Sequence, residues 1–417
     1  CNFGRLGKEL WTAGESGEPI DLYAGFNEHD EARYIVEQIE RWLEGGNPRA
    51  SAAVLYRSNA QSRVLEEALI RAAIPYRIYG GQRFYERMEI RNALAYLRLL
   101  ANRGDDASVE RVINTPPRGI GSKTLDTVRE CARDRGIPLW QAIGAVLEEK
   151  LLPARALSAL EGFTVLINEL DSGTDAMNLE ELVEHVTNAS GLVDYHQKEK
   201  GEKGQARVEN LEELVNAAKQ FVPEGEELSP LQQFLDNAAL DAGDAQADEH
   251  EDSVQLMTLH SAKGLEFPLV FLAGMEENLF PHRMSLEEPG RLEEERRLCY
   301  VGITRAMEKL VITYAESRRL HGGETFNTPS RFIREIPPGL LQEVRLHTTV
   351  SRPVSSILQA QVPDTGLSLG QRVYHQLFGE GIVLNFEGRG ASARVEVNFD
   401  QEGSKWLVLQ YANLQLL

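Results

Sequence analysis

Three cysteines in 417 residues, Cys1, Cys131 and Cys299, stand too far apart to form a C-x-x-C pair. That excludes the common structural zinc patterns and a disulfide framework, and it fits a reducing, cytoplasmic setting. No apolar run approaches the ~20 residues that a membrane-spanning helix needs. Positive charge is scarce: 44 Lys and Arg face 64 Asp and Glu, a net charge of −20. This balance disfavours general, charge-driven attraction to a polyanion. The acids are concentrated in residues 171–184, 224–227 and 236–252, so local basic grooves elsewhere remain open to the chain. Two ATPase signatures are also missing. GSKT, from Gly121 to Thr124, is no P-loop, because Gly must directly precede Lys. Asp30 and Glu31 are not a magnesium-binding acid pair at a strand end, because Asn27, Glu28 and His29 intervene. The chain opens on Cys rather than Met, and residues 1–10 show no charged-then-apolar leader, so a fragment or processed form is expected.

What is present reads as α/β. Residues 19–26 and 51–56 are short, apolar and β-rich, and residues 30–43 between them carry apolar positions at helical spacing. A helix over 62–73 and a strand over 76–79 follow. From about residue 82 to 248 the pattern becomes amphipathic and helical, with strand-like runs almost absent. It returns to α/β at 254–259, 269–273 and 309–314. One parallel α/β domain (1–80 and 251–340) interrupted by an all-helical insertion (81–250) is the economical arrangement. An aperiodic, Pro- and Ser-bearing tether (341–367) then leads to a small glycine-punctuated β-barrel (368–417), with strands expected at 371–375, 381–386, 393–399 and 405–410.

Four stretches carry candidate chemistry. MTLHSAKGLEFP (257–268) sets Thr258, His260, Ser261, Lys263, Gly264 and Glu266 between two buried strands. It reads either as a ligand-contacting loop at the C-terminal end of a strand, where open α/β sheets place ligands, or as a plain polar connection. RLEEERRLCYVGITRA (291–306) reads as a helix whose Glu and Arg residues fit a solvated face, with Arg305 set apart after an apolar run. LYRSNAQSRVLEEAL (55–69) puts Arg57 and Asn59 two residues apart, pointing the same way if the chain there is extended. NTPPRGIGSKT (114–124) is either a capped inter-helix turn or a phosphate-holding hairpin. In the second case Gly119 and Gly121 permit close approach, Ser122 opens a helix whose free N–H groups can bind an anion, and Arg118 and Lys123 flank the glycines. His282, after Pro281, is by itself most simply a surface loop residue.

HSAKGLEFP and VGITRA together resemble the late motifs of superfamily 1 DNA helicases of the UvrD/PcrA/Rep type. The similarity extends to 76–90, the Gly-Ile-Gly hairpin, 199–213 and the terminal barrel. The resemblance implies a RecA-like second motor domain of P-loop NTPase type, a helical insertion with a helix-hairpin-helix, and an SH3- or Tudor-like barrel. It implies ATP-driven 3′ to 5′ translocation and unwinding in DNA repair. Arg305 would be catalytic at the γ-phosphate, Glu266 and Gly264 would contact ATP, and Arg57, Asn59, Thr258, His260, His282 and His321 would contact single-stranded DNA. Arg118, Gly119, Gly121, Ser122, Lys123 and Thr124 would contact duplex. ATP and Mg2+ are the implied cofactors, with the magnesium ligands and P-loop in an absent first motor domain. Such a half-site is not expected to hydrolyse ATP alone. His321 stands where an aromatic is usual, which weakens stacking there. RNA polymerase and repair proteins are the implied partners of the barrel, where Lys405, Trp406 and Tyr411 form either a contact patch or core. A non-enzymatic DNA-binding adaptor is the competing reading, and a nuclease-helicase the third.

Overall fold

The computed structural model describes residues 17–199, 201–225, 227–243, 251–287, 290–320, 323–344, 371–376, 378–387, 394–399, 403–408, 412 and 414–416. The chain divides into two compact units, Cys1–Leu346 and His347–Leu417.

The first unit is built on β1 (Ile20–Gly25), β2 (Ala52–Tyr56), β3 (Tyr76–Ile78), β4 (Val254–Thr258), β5 (Phe267–Leu272) and β6 (Ala306–Ala315). A hairpin, β7 (Ser317–Leu320) and β8 (Gly323–Phe326), follows β6, and β9 (Leu341–Glu343) closes the sheet edge. The order is β3-β4-β2-β5-β6-β1-β9, and every pairing is parallel. A parallel sheet is covered on both faces, and AAVLY of β2 shows it, with all five residues buried. Helix α1 (Glu28–Glu44) joins β1 to β2, and α2 (Ser62–Arg71) joins β2 to β3. Asn27 caps α1 by accepting from the His29 and Asp30 N–H groups, and acids in the first turn suit the positive end of the helix.

The insertion leaves after β3 and returns into β4, its neighbour in the sheet. It comprises α3 (Met88–Ala101), α4 (Asp106–Val112), α5 (Ser122–Arg135), α6 (Leu139–Glu148), α7 (Ala154–Asp171), α8 (Leu179–Ala189), α9 (Leu192–Gln197), α10 (Glu202–Gln220) and α11 (Pro230–Gly243). Tyr96, Phe163 and Phe234 are among the largest side chains buried in its own core. Helices α12 (Arg283–Glu287) and α13 (Arg291–Ile303) then fill the segment between β5 and β6.

The mixed α/β class and the interrupted parallel sheet agree with the sequence reading. Four local differences stand beside this agreement. Six-residue α9 is too short to show a helical period, and the first residues of α10, EKGQAR, are too polar to mark its start. The segment after β6, for which no strand is expected, folds back as β7–β8. Leu341–Glu343, read as the start of the tether, pairs with β1 through Ile20 and Leu341.

The second unit is an antiparallel sheet of β10 (Arg372–His375), β11 (Gly379–Glu387), β12 (Arg394–Phe399), β13 (Gly403–Val408) and β14 (Gln415–Leu416), ordered β13-β12-β11-β10-β14. Val373, Val383, Val395, Val397 and Phe399 form its core. The Lys405 ammonium lies 5.1 Å from the Phe378 ring centroid. The Trp406 side chain and Tyr411 lie outside the described residues.

Candidate nucleic-acid cleft and nucleotide edge

Strands β4, β2 and β5 are neighbours, and a cleft of ≈ 600 Å³ opens beyond their C-terminal ends. Arg57 and Asn59 follow β2, Thr258 and His260 end β4, and His282 lies in the segment after β5. All five line this cleft together with Glu199, Glu202 and Lys203 from the start of the α10 region. Residues separated by the whole insertion therefore share one wall. The chain after β2 is not extended, however. Ser58 caps a turn of 3-10 helix at Asn59–Gln61, and its hydroxyl accepts from the Ala60 N–H. Arg57 and Asn59 reach the cleft from a turn rather than from one face of a strand.

Three of the five are held by named partners. Arg57 donates from Nε to both Glu295 oxygens at 3.0 Å and from Nη2 to Oε1 at 2.7 Å. Glu202 lies 3.9 Å from Nη2. Thr258 Oγ1 and Ser261 Oγ are 3.1 Å apart, closing the turn after β4. His282 Nε2 is 3.1 Å from Glu209 Oε1, and Ser58 Oγ donates to Glu209 Oε2 at 2.5 Å. Burial alone would raise the Glu209 carboxyl, but the hydrogen bonds from His282 and Ser58 hold it below the ordinary carboxylate range. Desolvation against the cleft wall, together with the Arg57 charge, lowers His260 from its ordinary value. His321 lies outside the described residues.

The HSAKGLEFP turn serves two ends of the sheet, which corrects its reading as one loop at a strand's C-terminal end. Thr258 and His260 stand where β4 finishes, whereas Gly264 and Glu266 stand just before β5 begins, and β4 and β5 both run parallel to β2. Gly264 has φ +88° and open space around it, and Glu266 is exposed. Arg305 meets the turn at that second end. Its Nη1 donates to Leu265 O at 2.7 Å, its Nε to Val301 O at 3.0 Å, and its Nη2 to Thr304 Oγ1 at 3.0 Å. The Phe267 N–H bonds Arg305 O at 2.9 Å, so both motifs form one edge. A guanidinium has five N–H donors, so two remain for an anion. A fixed cation, an exposed carboxylate and an unobstructed glycine fit the outer half of a nucleoside triphosphate site. Among the described residues, no group of three or more His, Cys, Asp or Glu is placed to hold a metal ion.

Helix α13 is seated on this turn by Gly302. A Cβ there would lie 2.5 Å from Leu259 Cδ2 and 2.9 Å from Leu272 Cδ2. Glycine lets the helix that leads to Arg305 touch the floor of the turn.

The Gly-Ile-Gly segment joins α4 to α5. Asn114 Oδ1 accepts from the Arg118 and Ile120 N–H groups, and Gly119 has φ +79°. Gly119, Gly121, Ser122 and Lys123 are exposed, and a Cβ at either glycine would meet nothing within 4 Å. Two of the six expected contacts face inward. Thr124 is buried, and Arg118 donates to Val112 O, Pro116 O and Ser190 O while covering the Tyr96 ring. Arg118 shapes the hairpin.

Residues 1–317 match the UvrD-like helicase C-terminal domain. The chain belongs to that family. Residues 369–415 match the PcrA/UvrD tudor domain. Among similar proteins of this UvrD-like group, DNA helicase II of Escherichia coli (strain K12) is 59% identical over 419 residues, covering 99% of this chain and 58% of that protein. DNA helicase II of Haemophilus influenzae is 53% identical over 421 residues, with the same coverage of 99% and 58%. ATP-dependent DNA helicase PcrA of Staphylococcus epidermidis (strain ATCC 12228) is 38% identical over 429 residues, again covering 99% and 58%. The chain thus spans 58% of the length of these UvrD-like relatives. No helix among its described residues is long and apolar enough to cross a membrane.

Several site-building residues escaped the sequence reading. Glu295 sits in a stretch whose charge pattern fits a solvated face, yet it is 4% exposed. Its signal was helical phase, since Glu295, Leu298, Cys299 and Gly302 share the buried side of α13. Glu209, which holds His282, gave no local signal. Arg318, Glu31 and Glu276 form a buried ionic group beneath β7.

Proposed function

We propose that this chain is the C-terminal portion of an ATP-dependent DNA helicase that translocates 3′ to 5′ and acts in DNA repair. The observation that carries the reading is convergence: five expected strand contacts line one cleft, while Arg305 is fastened to the same HSAKGLEFP turn at the other end of the sheet. Single-stranded DNA would lie in the cleft, its phosphates met by Arg57 and the polar ends of β4. Arg305 would stabilise charge on a transferring phosphoryl group, and Glu266 would accept from a ribose hydroxyl. When bound, ATP with Mg2+ supplies the free energy, its magnesium held by residues of a first motor domain. The exposed backbone of the hairpin, with Lys123, would hold duplex phosphates without reading bases. The second unit would recruit protein partners, RNA polymerase and repair factors among them, in the cytoplasm.

The 417 residues contain neither a P-loop nor a strand-end acid pair, so the chain alone is expected to show no ATPase above background. Supplying a first motor domain should restore DNA-stimulated hydrolysis and unwinding. Arg305→Ala in that assembly should abolish both while leaving strand binding intact. Turnover by the chain alone, or unaffected unwinding in the variant, would overturn the reading.

A further inference from the structure

Glu295 is nearly inaccessible, and it is not among the residues that line the cleft, yet it touches three that do. Its carboxylate takes the Nε and Nη2 edge of Arg57, the backbone N–H of His282 at 3.1 Å and the hydroxyl of Ser285 at 3.2 Å. These donors come from three separate segments: the turn after β2, the stretch after β5, and α12. Burial would raise this carboxyl, but the Arg57 hydrogen bonds and charge bring it below the ordinary range, so it stays an anion behind the wall.

The geometry at Arg57 has a directional result. With Nε and Nη2 on Glu295, Nη1 is the remaining donor end, and it has no hydrogen-bond partner among the described residues. A guanidinium gripped along one edge is a planar fork with its orientation fixed, which a lysine ammonium cannot reproduce. We propose that Glu295 is a positioning residue for single-strand binding: it fixes the Arg57 guanidinium so that Nη1 addresses a DNA phosphate, and it pins His282 and Ser285 to the same wall. This rests on the reading of the cleft as the single-strand site. It assigns a binding role to a carboxylate in a pocket meant for polyanions, where charge alone argues the opposite effect.

That opposition makes the inference testable with the full 417-residue chain and a fluorescent oligothymidylate, following anisotropy across a salt series. Arg57→Ala should weaken binding about tenfold and flatten the dependence of log K on log salt by about 0.7, the loss of one single-strand phosphate contact. Glu295→Gln should do nearly the same, and the double variant should be no weaker than Arg57→Ala alone. Arg57→Lys keeps the charge and leaves Glu295 in place, so it tests orientation even where Glu295→Gln fails to fold; it should bind almost as weakly as Arg57→Ala. Glu295→Asp should recover part of the loss. A purely structural role would lower the melting temperature and leave the salt slope unchanged, overturning the proposal. Tighter binding by Glu295→Gln, additive losses in the double variant, or unimpaired binding by Arg57→Lys would also overturn it. If Arg57→Ala binds like the unsubstituted chain, the cleft reading fails and this inference falls with it. If Arg57→Ala weakens binding while Glu295→Gln leaves it unchanged, the inference fails alone.

Discussion

Gly302 and Arg305 lie three positions apart, yet their substitutions should separate stability from chemistry. Gly302→Ala forces a methyl against Leu259 and Leu272, and overpacking of this kind costs about 1–3 kcal/mol. Thermal unfolding should show the loss, and strand affinity should fall with it, because Leu259 lies between Thr258 and His260. Arg305→Ala makes no such collision. Its expected signature is a drop in hydrolysis of about 10³-fold or more in the assembled motor, with stability nearly unchanged. His260 adds a pH dependence of definite sign. Burial and the Arg57 charge hold its pKa below the ordinary histidine value, and an approaching phosphate would raise it. Strand binding should therefore take up a proton and strengthen as pH falls through the region below about 6.5. His260→Gln should remove that increment, which anisotropy titrations at pH 7.5 and 5.5 would check.

At the scale of elements, the hairpin between α4 and α5 offers two glycines with different demands. Gly119 sits at φ +79°, so alanine there costs about 1–2 kcal/mol in backbone strain although space is open. Gly121 sits at φ −88° and should accept alanine without loss of stability. If duplex phosphates approach this backbone closely, Gly121→Ala will weaken duplex binding at unchanged melting temperature. Equal duplex affinity would remove the hairpin from the binding surface. Beneath β7, Arg318 donates to Glu276 at 2.7 Å and also bonds Glu31; the two carboxylates accept further from Gly274 N, Thr313 Oγ1, Ala315 N and Asn327 Nδ2. Removing the cation from so enclosed a group strands two acids, so Arg318→Met should cost about 3–5 kcal/mol in denaturant unfolding. The acid side has its own sign. Glu209 and Glu295 titrate below their unfolded values, so the stability they lend is present above the ordinary carboxylate range and is lost as pH falls through their folded values.

For the whole molecule, the sequence exposed what repeats with a period. The apolar strands, the long insertion helices and the interruption of the α/β pattern all follow from spacing, and the motifs indicated which strand ends matter. Contacts that join distant segments left no such trace. Glu31 shares a helix face with Ile35 and Ile39, so its burial was visible in phase, but its partner Arg318 was not. Glu209 meets Ser58 and His282 only because the insertion packs α10 against the sheet, which no local pattern encodes. The second unit has its own core of four valines and Phe399. Calorimetry of the chain should accordingly resolve two transitions, and removing residues 347–417 should delete the smaller one while leaving the other in place.

The insertion leaves the sheet after Ile78 and re-enters at Val254, and those two ends lie on adjacent strands, with Tyr76 beside Val254. Neighbouring strands are about 4.8 Å apart, so the excursion closes on itself almost where it began. The entropy of closing a loop grows only with the logarithm of its length, by about 0.6 kcal/mol per doubling. The sheet is therefore nearly indifferent to how much chain is hung between β3 and β4. Such a junction behaves as a socket, able to accept appendages of different size and purpose while the strand ends that flank it keep their positions.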